Sequence, residues 1–532
     1  MIGYYAGPIS PYPRAFQPGN YRGIETGPAL TGPAGDTFQP LQSQSASATQ
    51  PVSRPVSPKP VWRNQLKTLF QNKEAIVYAL HLRTFGAFDL NQDGKITVEA
   101  DESGTFLSAI ARLDELKAMG VNAVHLLPIT PISKTRRLGR AGSPYAPSDY
   151  HSLNPEYADP KSSLSLLEQA KAFVDAAHKR GIHVMVDVPS CASYDMAETN
   201  PALIKLDPQT GRPLTPHNWV DILMFQNDKD LQNYYEGFFD LMANQVGADG
   251  FRVDVARARP PWFWKHFIDK FPNHAWLAES YVQEDQSPLP NIPRDIPEHL
   301  LKIGFDSIYG QFHIFPEMGS ASAYQQYLVD GHSMLTRAGI GKSFIGSFLT
   351  HDDPSLMPRG GVTMSFLVSG LMAMQPWTNP YILDGFTTGY EKPFDIFNFA
   401  QRPQGRHPEI GRYLTAMFRL RQQYLPVVTQ GLYIPIPVYN AKHPQIIAFA
   451  RHHQGKTLLI VANKDVNARH SGTLFVPSLQ QNQPLQDLAP ATGKPSQFMV
   501  ENNQLQVDLG PGRFHVFEVN TPNLPLSLPG YR

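Results

Sequence analysis

The sequence predicts an α/β fold, a closed (β/α)8 barrel of the TIM type followed by a C-terminal antiparallel β-sandwich domain. From about residue 75, short apolar runs alternate with amphipathic helical patterns, as in a parallel sheet covered on both faces by helices. The alternation lasts for roughly 350 residues, which favours an eight-stranded barrel over an open sheet. After about residue 425 the helical pattern stops. Alternating runs around a "HHQGK" turn then indicate a β-hairpin.

Individual elements of the barrel follow from hydrophobic periodicity. Apolar residues recur at helical spacing in two long segments, and the first of them ends at a glycine. Runs without polar interruption are typical of buried strands. The predicted helices are 106–120 and 163–181, and the predicted strands are 75–82, 121–129, 182–189, 250–256, 275–280 and 342–349.

Three regions are predicted along the chain. Residues 1–60 are rich in Pro, Gly, Ser and Gln, so this arm has too few apolar residues to offset its chain entropy and is predicted to be disordered. Residues 61–425 form the barrel, with a short excursion after the third strand at 190–232. Residues 426–532 form the C-terminal β domain.

The bulk composition excludes several classes of protein. The chain has 532 residues with 46 Lys+Arg and 46 Asp+Glu, so no net field attracts nucleic acid or an anionic membrane. Cys191 is the only cysteine, which rules out an intramolecular disulfide. Because neither a signal peptide nor an apolar run of 18 residues is recognised, a cytoplasmic protein without a membrane partner is expected. The sequence does not determine the oligomeric state.

Four acids stand at the ends of predicted strands, where the active sites of such barrels form. Arg252 precedes Asp254 by two residues, so both side chains point to the same side of their strand. A structural ion pair in a large core is the alternative for these two residues. The four acids are Asp187, Asp254, Glu279 and Asp352.

The 25 residues from Asp254 to Glu279 are the length of one helix plus one strand, which places the two acids on adjacent strands. Two carboxylates facing each other are what retaining glycoside hydrolysis needs, one as nucleophile and one as acid. Arg252 is expected to lower the pKa of Asp254 and keep it ionised. Burial beside Trp276 and Leu277 is expected to raise the pKa of Glu279, so that it acts as the acid.

Over about residues 75–520 the chain resembles glycoside hydrolase family 13, the α-amylase family. The motifs are "GFRVDVA", "WLAES", "THDDPS" and "SPYAPSDYHSLNPEY", in the family's order. The resemblance implies a role for each matching residue: Asp254 as nucleophile, Glu279 as general acid/base, Asp352 and His351 on sugar hydroxyls, Arg252 positioning Asp254, Tyr145 stacking on the sugar, and Asp187 as support.

The sequence also departs from the family pattern. Cys191 and Ala192 replace an Asn-His pair whose Asn binds calcium in the family, so no calcium is expected there. Thr350 replaces another Asn. The stretch "FRVDVARARPPWFW" resembles the family's maltosyltransferase branch, and Arg257 with Arg259 would suit a phosphate. Solvated arginines are the alternative.

A second candidate site is the loop "DLNQDGKIT". Oxygen ligands at alternate positions before a turn glycine, Gly94, suit a calcium ion. Glu99 or Asp101 is expected to complete the site, and a polar turn without metal is the alternative. No organic cofactor is expected. The predicted ligands are Asp89, Asn91, Asp93 and the Lys95 carbonyl.

The predicted function is a retaining α-glycosidase that acts on α-glucans or malto-oligosaccharides through a covalent glycosyl-Asp254 intermediate. An α-glucan glycosyltransferase of the same family, of the maltosyltransferase type, is one alternative, since it differs only in what intercepts that intermediate. A non-catalytic carbohydrate-binding barrel is another.

Overall fold

The computed structural model describes eight ranges of the 532-residue chain: 65–216, 219–281, 296–439, 444–476, 479, 484–492, 496–501 and 503–519. The predicted arm, residues 1–60, lies outside the described residues. So does the end of the predicted C-terminal domain, from residue 520. All described residues belong to one unit, Arg63–Arg532.

Eight parallel strands close into a barrel. Their order around it is β1-β2-β3-β6-β7-β8-β9-β10, and nearly every strand residue is buried, as the apolar runs predict. Strands β4 and β5 pair with each other outside the barrel, within the predicted excursion. The ten strands are β1 (Val77–Leu80), β2 (Ala123–Leu126), β3 (His183–Val188), β4 (Ala192–Ser193), β5 (Ile222–Leu223), β6 (Gly250–Val253), β7 (Ala275–Ala278), β8 (Ser307–Tyr309), β9 (Ser343–Ser347) and β10 (Thr378–Leu383).

Two barrel strands, β8 and β10, have no counterpart among the predicted strands. The first has only three residues, too few for a periodic pattern. The second contains Pro380, which argues against a central strand because proline cannot donate to the ladder. The structure nevertheless pairs Pro380 with Gly346 of β9. The closure of the barrel therefore depends on strands that local sequence does not reveal.

Helices cover the outside of the barrel. The helix predicted at 163–181 is confirmed at Leu166–Lys179, where Ser165 and Glu168 form a capping box. The helices are α1 (Gln65–Asn72), α2 (Leu82–Phe85), α3 (Phe106–Ile110), α4 (Leu113–Met119), α5 (Leu166–Lys179), α6 (Tyr194–Thr199), α7 (Lys229–Asp240), α8 (Pro261–Lys270), α9 (Ile296–Ile303), α10 (Ala321–Ala338), α11 (Gly361–Met374), α12 (Pro408–Gln423) and α13 (Leu425–Gln430).

The single helix predicted at 106–120 was wrong, because the structure divides it into α3 and α4. The break falls at Ala111 and Arg112. The guanidinium of Arg112 donates to the carbonyl of Ala87 at 2.9 Å and lies 4.4 Å from the centre of the Phe88 ring. This tertiary contact outweighs the local helical pattern. Gly120, in the left-handed region at φ 96°, ends α4 as predicted.

Two four-stranded antiparallel sheets follow the barrel. They share one apolar core with residues from both sheets, which is a sandwich. The predicted hairpin is confirmed: His453 pairs with Lys456, and Gln454 and Gly455 both have positive φ, as a type I′ turn requires. The sheet orders are β11-β13-β14-β18 and β12-β15-β17-β16. The strands are β11 (Leu432–Pro435), β12 (Val438–Tyr439), β13 (Ile446–His453), β14 (Lys456–Asn463), β15 (His470–Phe475), β16 (Gln497–Glu501), β17 (Gln504–Leu509) and β18 (Phe514–Val519).

The observed architecture confirms the predicted fold class, a (β/α)8 barrel with a C-terminal antiparallel β-sandwich. Phe514 of β18 packs against the barrel helix α11 at Gly370, where a Cβ would lie 2.4 Å from the ring. None of the helices in the described ranges is long and apolar enough to cross a membrane.

Candidate active site

Asp254 and Glu279 stand side by side at the carboxyl ends of neighbouring strands. The strands β6 and β7 pair with Val253 opposite Ala278, which confirms that the two acids follow adjacent strands. Asp254 N donates to Val188 O at 3.1 Å, and Glu279 N donates to Val253 O at 2.9 Å, so the ladder continues through both acids. Both carboxyl groups bind the guanidinium of Arg252.

Arg252 holds three carboxylates at once. Its Nη1 lies 3.0 Å from Asp187 Oδ1 and 2.9 Å from Asp254 Oδ1, while its Nη2 lies 3.1 Å from Glu279 Oε2. Only 1% of the Arg252 side chain is exposed. Charge-assisted bonds of this kind compensate for taking the ions out of water, and the fork geometry suits only arginine. The buried arginine predicted from the sequence therefore orients the whole acid cluster.

A ring of polar side chains crosses the barrel beneath the two acids. Starting from Arg252, its Nε donates to Tyr309 Oη at 3.3 Å, and Tyr309 Oη donates to Tyr381 Oη at 3.3 Å. Tyr381 Oη lies 3.0 Å from His125 Nδ1, and His125 Nε2 lies 3.1 Å from Asp187 Oδ2. Asp187 returns the ring to Arg252. Five strands thus share one closed network, which fixes the guanidinium in place.

The environment of Asp187 keeps that residue ionised. Burial would raise the pKa of Asp187, but the charge of Arg252 and the hydrogen bond from His125 outweigh it, and the pKa lies below its ordinary value. Burial lowers the pKa of His125, although its bond to Asp187 acts in the opposite direction. A neutral imidazole therefore donates from Nε2 to Asp187 and accepts at Nδ1 from Tyr381.

Glu279 accepts two hydrogen bonds in addition to its contact with Arg252. The backbone N–H of Val255 donates to Glu279 Oε2 at 2.7 Å, and Tyr281 Oη donates to Oε1 at 3.3 Å. Val255 adopts φ 39° and ψ 57°, a left-handed conformation that is strained for a β-branched residue. Asp254 accepts from the Ser190 hydroxyl at 3.1 Å in addition to Arg252.

The expected pKa directions of the two acids were wrong. Burial raises the pKa of Asp254 well above its ordinary value, and the charge of Glu279 raises it further, while Arg252 offsets only part. Burial also raises the pKa of Glu279, but Arg252 and the Val255 N–H outweigh it, so the pKa of Glu279 lies below its ordinary value.

Asp352, His351 and Tyr145 complete the cluster. His351 Nε2 lies 3.6 Å from Asp352 Oδ2, and the His351 ring stacks on Tyr145 with centroids 5.2 Å apart and planes 3° apart. Tyr145 Oη donates to Asp187 Oδ2 at 2.8 Å. Burial raises the pKa of Asp352, with the charge of His351 opposing and that of Glu279 reinforcing the shift. Of the eight residues predicted at this site, seven lie together here.

Arg257 is the eighth. It lies on the buried turn Ala256–Ala258, beyond the end of β6, and has no part in the acid-cluster contacts given above. Arg259 is engaged elsewhere: its guanidinium donates to Asn227 Oδ1 at 3.2 Å and to the carbonyls of Ala258 and Ser190. These bonds give Arg259 a structural role, in contrast to the solvated or phosphate-binding arginine considered from the sequence.

Cys191 occupies a polar neighbourhood without acting as a nucleophile. Burial raises the pKa of its thiol to about 12, and the negative charge of Asp254 adds to the shift. A thiol in this state is inert. The backbone carbonyl of Cys191 accepts a hydrogen bond from Tyr150 Oη at 2.8 Å. Ala192 is buried on β4.

The loop predicted to bind calcium folds as a turn built on oxygen acceptors. Asp89 Oδ2 accepts from Gly94 N at 3.0 Å, Asn91 Oδ1 from Asp93 N at 2.9 Å, and Asp93 Oδ1 from Lys95 N at 2.8 Å. Asp89 Oδ1 is buried and has no hydrogen-bond partner among the described residues. Such an oxygen suits a hard cation, so the residues fit calcium.

Glu102 organises this loop, and sequence reasoning missed it. Its two carboxylate oxygens accept from the backbone N–H groups of Leu90, Asn91 and Thr97 at 3.1 to 3.3 Å. Asp101, one of the two acids expected to complete the site, pairs with Lys161 at 3.2 Å. The acid that binds the backbone of the loop is therefore Glu102, which follows Asp101 in the chain.

A small cavity lies beyond the ends of β9 and β10. It is lined by apolar residues together with Asp353, Asp384, Tyr390 and Lys392, and Asp353 directly follows Asp352 in the chain. Asp353 Oδ2 accepts from both N and Oγ1 of Thr350 at 2.8 Å, so the threonine that departs from the family pattern fixes the loop carrying Asp352.

Three residues of the polar ring escaped prediction: His125, Tyr309 and Tyr381. His125 was visible as the one polar side chain in the run "AVHL". The tyrosines lie on β8 and β10, which the sequence did not reveal as strands. Alternate residues of a barrel strand point inward, so Tyr309 and Tyr381 could be recognised as inward-facing only once β8 and β10 were known to be strands.

A family model matches part of the chain. Residues 12–198 match the family model of the α-amylase catalytic domain. The matched stretch contains Tyr145 and Asp187 and ends before β6, so Asp254 and Glu279 lie beyond it.

Several curated relatives carry maltosyltransferase names. The α-1,4-glucan:maltose-1-phosphate maltosyltransferase of Arcanobacterium haemolyticum is 28% identical over 268 residues, 45% of this chain and 36% of the relative. The protein of that name from Bifidobacterium animalis subsp. lactis is 23% identical over 505 residues, 85% of this chain and 64% of the relative. Isoamylase SU1 of Zea mays is 27% identical over 210 residues, which cover 37% of this chain and 26% of the isoamylase. The chain thus spans less than two thirds of each relative's length.

Solved structures share the fold. The noncanonic maltogenic α-amylase AmyB from Thermotoga neapolitana superimposes with a TM-score of 0.67 at 22% identity, covering 85% of this chain and 100% of AmyB. At this identity the likeness concerns the fold. The family-model match, the relatives and the shared fold confirm the resemblance to glycoside hydrolase family 13, the α-amylase family, and the relatives include maltosyltransferases.

Proposed function

We propose that the chain is a retaining α-glycosidase that acts on α-glucans or malto-oligosaccharides. The observation that carries the proposal is that one Arg252 binds both Asp254, at 2.9 Å, and Glu279, at 3.1 Å, at the ends of adjacent strands. Inverting enzymes keep their carboxyl groups about 6.5–9.5 Å apart to admit a water, whereas retaining enzymes keep them about 5–5.5 Å apart. Two carboxyl groups that share one guanidinium favour the second kind of geometry.

The proposed reaction has two displacements. Asp254 attacks the anomeric carbon, the glycosidic C–O bond breaks, and Glu279 gives its proton to the leaving oxygen. A covalent glycosyl-Asp254 ester remains, and Glu279 is now a carboxylate. Glu279 then takes a proton from a water molecule, which attacks the anomeric carbon and releases Asp254 as a carboxylate. The proton on Glu279 is restored, so the cycle balances.

The first displacement needs an ionised Asp254 and a protonated Glu279, whereas in the free site the pKa of Asp254 is raised and that of Glu279 is lowered. A sugar that displaced Glu279 from the Val255 N–H would remove a donor that stabilises its charge and would raise the pKa of Glu279, while Arg252 stabilises the Asp254 carboxylate.

The remaining site residues are proposed to hold the sugar. Buried His351 has an Nδ1 without a hydrogen-bond partner among the described residues, and Asp352 is partly exposed beside it. A sugar hydroxyl would satisfy both groups. Tyr145 offers its ring to the sugar, and Asp187 fixes the Tyr145 hydroxyl at 2.8 Å.

Calcium is proposed for the loop between β1 and α3. The oxygens of Asp89, Asn91 and Asp93 with the Lys95 carbonyl would hold the ion, which supplies positive charge that fixes the fold of the loop. The catalytic steps involve only the residues of the acid cluster.

A transglycosylating enzyme of the maltosyltransferase type is the second candidate, and the names of the relatives favour it. In that case a sugar hydroxyl replaces water in the second displacement. Because Arg259 is occupied by Ser190, Asn227 and its own neighbour, a phosphate on the donor sugar would depend on Arg257. A non-catalytic carbohydrate-binding barrel is the third candidate, but the intact acid cluster argues against it.

One experiment separates the three. The purified chain is incubated with starch, maltodextrins, trehalose, sucrose or maltose-1-phosphate, with and without a maltodextrin acceptor, and the products are resolved by chromatography. Shorter α-anomeric sugars from maltodextrin alone support the glycosidase. Longer chains with release of inorganic phosphate from maltose-1-phosphate identify the transferase. Saturable sugar binding without any product would leave the binding protein.

A further inference from the structure

Two histidines and an aspartate converge at the amino ends of β3 and β6, opposite the acid pair. His178 lies in the last turn of α5, His183 begins β3, and Asp249 directly precedes β6. From His183 to Asp187 the strand rises roughly 13 Å, so this cluster is remote from the acids. Neither the proposed chemistry nor the calcium loop uses it.

The three side chains lie at metal-binding distances. One nitrogen of each imidazole and one carboxylate oxygen all lie within 4.8 Å of one another. His178 Nε2 is 2.7 Å and His183 Nδ1 is 3.6 Å from Asp249 Oδ2. In a tetrahedral zinc site with bonds of about 2.0–2.2 Å, the ligand atoms lie roughly 3.3–3.6 Å apart. The 2.7 Å distance between His178 Nε2 and Asp249 Oδ2 would have to lengthen only slightly to admit an ion.

Asp249 supplies an independent observation. The residue is only 1% exposed, and its Oδ1 is buried without a hydrogen-bond partner among the described residues. Its other oxygen accepts from His178 and from the Val184 N–H at 2.8 Å. A buried carboxylate oxygen that lacks a partner is costly, and a cation would satisfy it.

The His178 side chain is 22% exposed, which leaves a path for an ion and for a water ligand.

We infer that His178, His183 and Asp249 form a binding site for a divalent transition-metal ion of the zinc class. Imidazole nitrogen with a carboxylate is a ligand set typical of zinc, and a water molecule completes four-coordination. Coordination uses the nitrogen lone pairs, so the proton that His178 Nε2 shares with Asp249 leaves or moves to Nδ1. The ion ties the end of α5 to the starts of β3 and β6 and stabilises the barrel without touching the reaction.

The test titrates Zn²⁺ and Co²⁺ into untagged, chelator-treated full-length protein, followed by calorimetry and by the visible spectrum of Co²⁺. The chain has 18 histidines, so variants are needed to locate the site. His178→Gln and His183→Gln each remove one ligand. In His178→Gln, the glutamine amide can still donate a hydrogen bond to Asp249. His266→Gln is the matched control, because His266 also pairs with a carboxylate, Glu236, but has no second histidine in that pair.

The parent and the control are expected to bind one equivalent tightly, with a tetrahedral Co²⁺ spectrum. Either ligand variant is expected to bind more than about 100-fold more weakly, since even second-shell changes cost 10–100-fold. Diffraction at the zinc edge locates the ion in the parent if a variant fails to fold. No saturable equivalent in the parent, or equal affinity in both variants, overturns the inference. Neither outcome bears on the glycosidase proposal, whose assay does not involve this end of the barrel.

Discussion

The backbone N–H of Val255 donates a 2.7 Å hydrogen bond to Glu279 Oε2. Val255 can do so because it takes a left-handed conformation immediately after the strand end, at φ 39°. Placing a β-branched residue there costs on the order of 1–3 kcal/mol. The strained turn stabilises negative charge on Glu279 and so contributes to lowering its pKa.

Removing either member of the pair should abolish turnover without unfolding the protein. Asp254→Ala and Glu279→Gln are each expected to lower kcat by several orders of magnitude, because each deletes a whole chemical step. Circular dichroism checks the fold, and steady-state kinetics on maltodextrins measures the loss. Asp269→Asn, an exposed acid paired with Lys265, is the control and should be fully active.

Azide distinguishes the two roles. It can replace the lost nucleophile in Asp254→Ala and should yield a β-glycosyl azide, whereas azide reacting with the enzyme ester in Glu279→Gln yields the α-anomer. Near-parental rates in either variant would disprove the assignment of the pair.

Asp254→Asn should raise stability near neutral pH. Since the pKa of Asp254 is raised in the folded state, the folded protein binds more protons than the unfolded chain between the unfolded pKa of about 3.9 and the folded pKa. The parent therefore loses stability as pH rises through that window, by up to about 1.4 kcal/mol per pH unit. The asparagine removes this dependence.

Chemical denaturation at a series of pH values measures the effect. The parent and Asp254→Asn should differ most above the folded pKa and converge below about pH 4. A variant that is less stable than the parent at neutral pH would show that the carboxyl group is not destabilised by its surroundings.

Replacing Arg252 should impair catalysis and move the pH profile. Arg252→Gln removes the charge shared by Asp187, Asp254 and Glu279, so kcat/KM is expected to fall by about 10²–10³-fold. The remaining carboxyl groups then hold their protons to higher pH, and the alkaline limb of the kcat/KM profile should shift upwards.

Arg252→Lys should be intermediate, because a lysine carries the charge but cannot contact three carboxylates. Arg469→Lys, which alters an exposed pair with Asp508, is the matched control. An unshifted alkaline limb in Arg252→Gln would mean that the guanidinium does not set the protonation of the pair.

Chelation should lower thermal stability more than activity. An ion bound only to the folded state stabilises it by about 2.7 kcal/mol at 100 times its Kd. Asp93→Ala should reproduce the melting temperature of the chelated parent and should not respond to added calcium. Scanning calorimetry with and without calcium makes the comparison. If the variant responds to calcium as the parent does, the loop is only a turn.

By itself, the sequence determined the barrel class and the meeting of the principal acids. The spacing of Arg252 and Asp254 put both on one side of a strand, and one helix plus one strand separated Asp254 from Glu279. Because parallel strands present their carboxyl ends at one edge, these local facts suffice to bring the acids together.

Only the tertiary structure decided in which direction the pKa of each acid of the pair shifts and which side chains fix Arg252. Tyr309 and Tyr381 come from strands too short or too irregular to predict, and they join Asp187 through His125 only when the barrel closes. The pKa values of the pair depend on the Val255 amide and on burial, which arise from long-range packing. Sequence pattern records which side chains share a face, whereas electrostatics depends on the distances between groups that the chain brings together from far apart.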